Sequence, residues 1–216
     1  NSAFEDGAGE LIQTIHQNLG IAINHYVQIN FDGVKGIVSA LGGVQIYSPS
    51  KARDKVTGLN IPNAGCVTLD ENQALAYVRS RHFQYQENGI WQPEDPRADL
   101  GRIDRQQDFV RRMLKKANAT AKGLNLLALN RMVNTGIHYV KIDDSLSTKD
   151  ITSLVRRFKS LDPNAVQMYT IPSVRAIIGG ADVQRIKQPD AQQVIDQFLD
   201  KVPAPGATAN QAQPPP

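Results

Sequence analysis

The chain has 216 residues, of which 41% are apolar and 21% charged, with a formal net charge of +3. That mixture belongs to one folded domain, not to a disordered or membrane-embedded chain, and the small positive excess favours anionic partners only weakly. No stretch reaches the roughly 18 apolar residues that a membrane-crossing helix needs, and nothing at Asn1 resembles a signal peptide. Cys66 is the one cysteine, so no disulfide forms within the chain and no Cys/His spacing suits zinc. Its thiol reads as a small buried apolar group, or else as the half of a pair whose other half lies elsewhere.

Leu11, Ile12, Ile15 and Leu19 recur at helical spacing, and Gly20 follows where a helix stops. Ile21, Ile23, Val27, Ile29 and Phe31 alternate as in a half-buried strand. Asp32-Gly33 opens a second helix through Val34, Ile37, Val38 and Leu41, ended by Gly42-Gly43, and Val44 to Tyr47 is extended again. Helices alternating with strands point to an α/β layered fold. Residues 48–67, with Pro49, Gly58, Pro62 and Gly65, read as a long loop. Thr68 and Glu71 have capping-box spacing, so a helix is expected from about Leu69 through Tyr77. Residues 83–98 are polar, carry Pro93 and Pro96, and read as an exposed insertion.

A long helix is expected from about Leu100 to Ala117, and another within 123–134. Ser147 and Asp150 cap a further helix carrying Ile151, Leu154, Val155 and Phe158. Val166 to Ile171 reads as a strand, and Asp190 to Leu199 as a last helix. The domain is expected to span 1–202, and the Pro-rich segment 203–216, almost without apolar residues, reads as a disordered tail.

The chemistry concentrates in Arg79-Ser80-Arg81 and in Asp99-Leu100-Gly101-Arg102-Ile103-Asp104-Arg105-Gln106-Gln107. On the long helix Ile103, Gln107, Val110, Leu114 and Ala117 share one face, the expected core stripe. Arg102 and Arg105 flank that stripe near the helix N-terminus, and Phe109 and Met113 continue the flank as an apolar strip. Extended backbone puts Arg79 and Arg81 on one side, so four guanidiniums can converge near a helix N-terminus. Planar donor forks and the helix dipole both suit phosphate. Four such groups can neutralise a pyrophosphate and the charge that builds on it during phosphoryl transfer. The plainer alternative is a set of solvated arginines paired with Asp99, Asp104 and Asp108, with Asp99 a simple N-cap and Phe109 and Met113 simple core.

These two motifs, from Leu69 to Arg81 and from Asp99 to Gln107, closely resemble the signature of the LytR-CpsA-Psr family. His25-Tyr26-Val27, Phe31 and Ala40-Leu41-Gly42-Gly43-Val44 resemble it too, and the insertion with Gly89, Trp91 and Pro93 resembles its actinobacterial members. The likeness is close over residues 1–120 and looser from 121 to 202. It implies a three-layer α/β/α sandwich around a mixed central sheet, with a lipid tail in a hydrophobic pocket. It also implies an extracytoplasmic phosphotransferase. Such an enzyme takes a glycan polymer (teichoic acid, capsule or arabinogalactan) from a polyprenyl-pyrophosphate carrier and joins it to peptidoglycan, assisted by Mg2+.

By this resemblance Arg79, Arg81, Arg102 and Arg105 contact the pyrophosphate. Asp99 orients them or acts on the acceptor hydroxyl, Gln106 supports the shell, and Phe109 and Met113 face the lipid. Asn1-Ser2-Ala3-Phe4 looks like the middle of the family's domain. The membrane-anchoring helix and the metal-binding aspartates are therefore expected upstream of Asn1, with no metal ligands in this chain.

Three other readings compete. A nucleic-acid-binding regulator is disfavoured because the basic residues spread around the helix, aromatic residues are scarce and no helix-turn-helix spacing is present. A non-catalytic module that binds the lipid pyrophosphate or the wall glycan, and a pyrophosphatase acting on the same carrier, use the same arginines. His16, His25, His82 and His138 have no partner at catalytic spacing, and Ser80 lacks the context of a nucleophile.

Overall fold

A computed structural model describes residues 7–122, 140–143, 145–147, 149–151, 153, 157, 162 and 165–201. The chain forms two compact units, one from residues 1–24 with 167–216 and one from 25–166. The helix expected within 123–134 and the tail after Val202 lie outside the described residues.

The larger unit carries the two motifs. Strand β1 (Val27–Ile29), shorter than the alternation suggested, pairs antiparallel with β8 (Val140–Ile142) of the far segment. Helix α2 (Phe31–Ala40), the second after α1 (Ala8–Leu19), starts where the Asn30 side chain accepts the Gly33 N–H at 2.7 Å. It ends at Gly42 and Gly43, both at positive φ. Gly43 is required twice over: a Cβ there would stand 2.7 Å from Thr68 Cγ2 and 2.9 Å from the Leu69 carbonyl oxygen. This close approach lets β2 (Val44–Ser48) run antiparallel to β5 (Gly65–Leu69).

Half of the expected loop 48–67 is strand. β3 (Ala52–Asp54) and β4 (Leu59–Ile61) form a hairpin between β2 and β5. Three-residue strands are too short to print an alternation, yet Ala52, Leu59 and Ile61 are all core. Cys66 on β5 is exposed, correcting the buried reading; it sits opposite Tyr47 on the outer face of the β2–β5 pair.

Helix α3 (Glu71–Arg79) is capped by Asp70, whose Oδ1 accepts the Asn72 and Gln73 N–H groups, rather than by a Thr68–Glu71 box. Asp70 is one residue before the helix and reaches both orphan donors, whereas Thr68 is held in β5. The insertion is also structured: β6 (Gln84–Glu87) and β7 (Ile90–Trp91) turn at Asn88-Gly89, both at positive φ as a tight hairpin needs. β6 pairs with β3, giving the sheet order β4-β3-β6-β7.

Helix α4 (Asp99–Lys122) packs against β2 and α3. Its buried face is not the predicted stripe: Val110 is 39% exposed, while Phe109 is 2% and Arg105 8% exposed. The core shared by α2, α3, α4 and the strands contains Val38, Val44, Ile46, Leu69, Ala74 and Phe109.

In the smaller unit α1 stops at Gly20, in the left-handed region. β9 (Ser173–Ile178) and β10 (Ala181–Ile186) form a hairpin through Gly179-Gly180, and α5 (Asp190–Phe198) follows. The expected strand at 166–171 is not one; extended pairing begins beyond Pro172, in the hairpin whose two-glycine turn sets its register. Ser147 and Asp150 do cap reciprocally, as expected. Helices and sheets thus alternate in an α/β fold, and every strand pairing among the described residues is antiparallel. No described helix is long and apolar enough to cross a membrane.

Candidate functional site

Arg79-Ser80-Arg81 lies where α3 ends. Ser80 is the C-cap, extended at φ −61° and ψ 124° and fully buried. It is pinned by Asp54, itself wholly buried, whose Oδ2 accepts the Ser80 hydroxyl at 2.7 Å and the His82 N–H at 3.0 Å. Oδ1 of the same carboxylate accepts the Val56 and Thr57 N–H groups. Burial alone would push the Asp54 carboxyl up. The hydrogen bonds from Ser80, Thr57, His82 and Val56 outweigh it and hold the group below its ordinary value. A saturated buried anion therefore brackets Arg81 from both sides, leaving its own side chain and that of Arg79 exposed.

Asp99 opens α4 and draws two of the expected arginines together. Its Oδ1 ion-pairs with Arg81 Nε at 2.9 Å and with Arg102 Nη2 at 2.7 Å. Arg102 is four-fifths buried, and its Nε has no hydrogen-bond partner. Burial pulls its guanidinium below the usual value; Asp99 works against that shift and Arg81 adds to it. Arg79 stacks on the Phe31 ring, 4.5 Å from its centroid, and pairs with no carboxylate among the described residues. Arg81 and Arg102 against one carboxylate leave one positive charge unbalanced, and Arg79, two residues before Arg81, adds a second.

Arg105 does not join them. Its Nη2 donates to the Ser80 carbonyl oxygen at 2.6 Å, Nη1 stands 3.7 Å from Asp95, and the group lies over Phe83 at 4.6 Å. The expected convergence of four guanidiniums is thus three at most, with the fourth turned inward as a tether behind Ser80. Gly101 makes this possible, since a Cβ there would lie 2.3 Å from Asp95 Oδ2. Gln106 reaches across to α3, donating to the Val78 carbonyl oxygen at 2.9 Å, so it braces the site. Phe109 is closed off in the core beside Tyr77, with ring centroids 6.4 Å apart, and Met113 is half-buried against the same core. Neither presents an outer apolar strip, because the face they share with Arg105 is the one α4 turns inward.

The sequence reading missed Asp54, which looks like one member of an ordinary charged triplet, Arg53-Asp54-Lys55. Phe31 and Asp95 were missed too, since their roles depend on contacts between distant segments. The donors present do not suit the expected magnesium: among the described residues no three His, Cys, Asp or Glu side chains cluster, and Asp99 is taken by two arginines.

Residues 1–199 match the LytR_cpsA_psr family as a whole. The chain belongs to the LytR-CpsA-Psr family. It is 29% identical over 180 residues to the cell wall biosynthesis protein LcpA of Corynebacterium glutamicum, covering 83% of this chain and 32% of that one. It is 30% identical over 149 residues to the polyisoprenyl-teichoic acid–peptidoglycan teichoic acid transferase TagU of Enterococcus faecalis, covering 68% and 42%. The chain thus spans about a third to two fifths of the length of these relatives. Among solved structures it is similar to the LytR-Csp2A-Psr enzyme from Actinomyces oris, with a TM-score of 0.78 at 22% identity, over 91% of this chain and 71% of that one. That likeness shows the shared α/β fold of the family.

Proposed function

We propose that the protein acts in transferring a wall glycopolymer from a polyprenyl-pyrophosphate carrier to peptidoglycan, outside the cytoplasmic membrane and held to it in the whole protein. The observation that carries this reading is the Arg81–Asp99–Arg102 bridge, with Arg79, two residues before Arg81, paired with no carboxylate among the described residues. A pyrophosphate joining a lipid to a glycan carries two negative charges, the number left unbalanced here. Family membership supports the same reading, as does a similar solved structure of TagT bound to LI-WTA.

In this reading Arg79, Arg81 and Arg102 hold the pyrophosphate, and Asp99 fixes the two guanidiniums it bridges. An acceptor hydroxyl attacks the glycan-side phosphorus, a new P–O bond forms, and the bond to the bridging oxygen breaks. Polyprenyl phosphate departs; the hydroxyl proton goes to that phosphate or to water. Arginines fixed before the reaction stabilise the charge moving to the bridging oxygen. Asp99 holds the Arg81 and Arg102 side chains in place; positioning is its role. No step is assigned to magnesium.

The test is turnover by the whole protein on a polyprenyl-pyrophosphate-linked glycan, with and without a wall-glycan acceptor. Glycan joined to acceptor, lost in Arg81→Ala and Arg102→Ala, supports the reading. Release of glycan phosphate at an equal rate without acceptor replaces it by a hydrolase.

A further inference from the structure

On the face of α4 next to Arg102 lies a cavity of about 830 Å³ that the arginine site does not use. Its wall carries four carboxylates, Glu94, Asp95, Asp104 and Asp108, against two guanidiniums, Arg97 and Arg105. Tyr47, Tyr77, Phe83 and Tyr85 also line it. Tyr47 and Tyr85 are 59% and 44% exposed, so their faces are open to a ligand. The two sites share a wall: Asp104, Arg105 and Asp108 lie on one face of α4, and Arg102 and Gln106 lie roughly 130° further round. They differ in charge: every carboxylate on the cavity wall is paired, Asp95 and Asp104 with Arg97, Asp108 with Arg112 and Glu94 with His82, whereas the arginine site keeps a positive excess.

We infer that this cavity is a saccharide subsite for an uncharged stretch of glycan. A sugar ring offers C–H faces that pack on tyrosine and hydroxyl and amide donors that seek carboxylate oxygens. Both guanidiniums on its wall are already held by carboxylates, so the cavity offers a phosphate-rich polymer or the carrier's own headgroup no free cation. The polar rim, with ion pairs from Arg97 to Asp95 and Asp104 and from His82 to Glu94, does not suit a hydrocarbon tail. Its place beside Arg102 fits the acceptor wall glycan, and to that extent the inference rests on the transfer reading above.

The test is calorimetric titration of the whole protein with a β-1,4-linked N-acetylglucosamine oligomer, with polyprenyl phosphate in micelles as a second, separate titrant. Saturable binding of the oligomer, weakened at least fivefold in Tyr85→Ala and kept within twofold in Tyr85→Phe, is expected. Arg102→Ala should leave oligomer binding unchanged while weakening polyprenyl phosphate. No oligomer binding, equal binding in Tyr85→Ala, or loss of oligomer binding in Arg102→Ala each overturns the subsite. Displacement of the oligomer by polyprenyl phosphate in the Arg102→Ala protein overturns it too, by giving the cavity to the lipid. Failure of the oligomer alone leaves the arginine site standing, since that site is read by the other titrant.

Discussion

Asp54 Oδ2 accepts the Ser80 hydroxyl at 2.7 Å in a place closed to solvent, linking two residues 26 apart in sequence. This bond, with the His82 N–H on the same oxygen, sets where Arg81 leaves the end of α3. The arginine site is therefore built from behind, by a carboxylate that never meets the ligand.

Replacing Asp54 by Ala strands the buried Ser80 hydroxyl and takes the acceptor from three part-buried N–H groups. A loss of about 3 kcal/mol or more is expected in denaturant unfolding, with Asp54→Asn in between. Because the folded carboxyl titrates below its unfolded value, its contribution is present above about pH 4 and is lost as pH falls through the folded value. Unfolding midpoints across that range should fall more steeply for the wild type than for Asp54→Asn.

Gly101→Ala places a methyl group against the Asp95 carboxylate and displaces it from Arg105. A net cost of about 1 kcal/mol or less is expected, because the carboxylate can swing aside and alanine favours a helix over glycine by a similar amount. Adding Asp95→Ala should recover part of it, and a thermal-shift comparison of single and double variants reads the recovery. A purely additive result would show that the clash lies elsewhere.

The His82 imidazole pairs with Glu94 at 2.7 Å, and that hydrogen bond and charge raise its value above the ordinary histidine range. The sign follows: the link is fully present below about pH 6.5 and is lost as pH rises through the raised folded value. His82 proton shifts followed by NMR should show the raised midpoint, and Glu94→Gln should lower it. An unchanged midpoint in Glu94→Gln would remove the pair from the account.

Along α4, Phe109 faces the core and Val110 the solvent. Phe109→Ala should cost about 3–5 kcal/mol and Val110→Ser less than about 0.5 kcal/mol. Unfolding curves of the two variants decide between this face and the one a pattern count selects.

That contrast shows what was legible in the sequence. The α/β alternation, α2, α3, α4, α5 and the Asp99–Arg102 spacing follow from local periodicity and turn chemistry, and the structure has them. The stripe on α4 was misread because Arg105, a charged residue, is buried by contacts with Ser80 and Asp95 that no window of the helix contains. The hairpin β3–β4 was taken for loop because its strands are three residues long. Arg81 and Arg102 meet at Asp99 across a separation of 18 residues for Arg81, a contact that the family likeness and no local window pointed to; Asp54 was invisible because its partners lie 26 and 28 residues away and no motif includes it.

The central claim is that Arg79, Arg81 and Arg102 form a lipid-pyrophosphate site. The most direct measurement is the affinity of the whole protein for polyprenyl pyrophosphate, beside Arg79→Ala, Arg102→Ala and the exposed control Arg97→Ala. The account predicts losses of at least tenfold for the first two, the worth of a charge-assisted contact of about 1.5 kcal/mol or more, and little change for the control. Equal affinity across all four proteins, or a loss as large in Arg97→Ala, would contradict it.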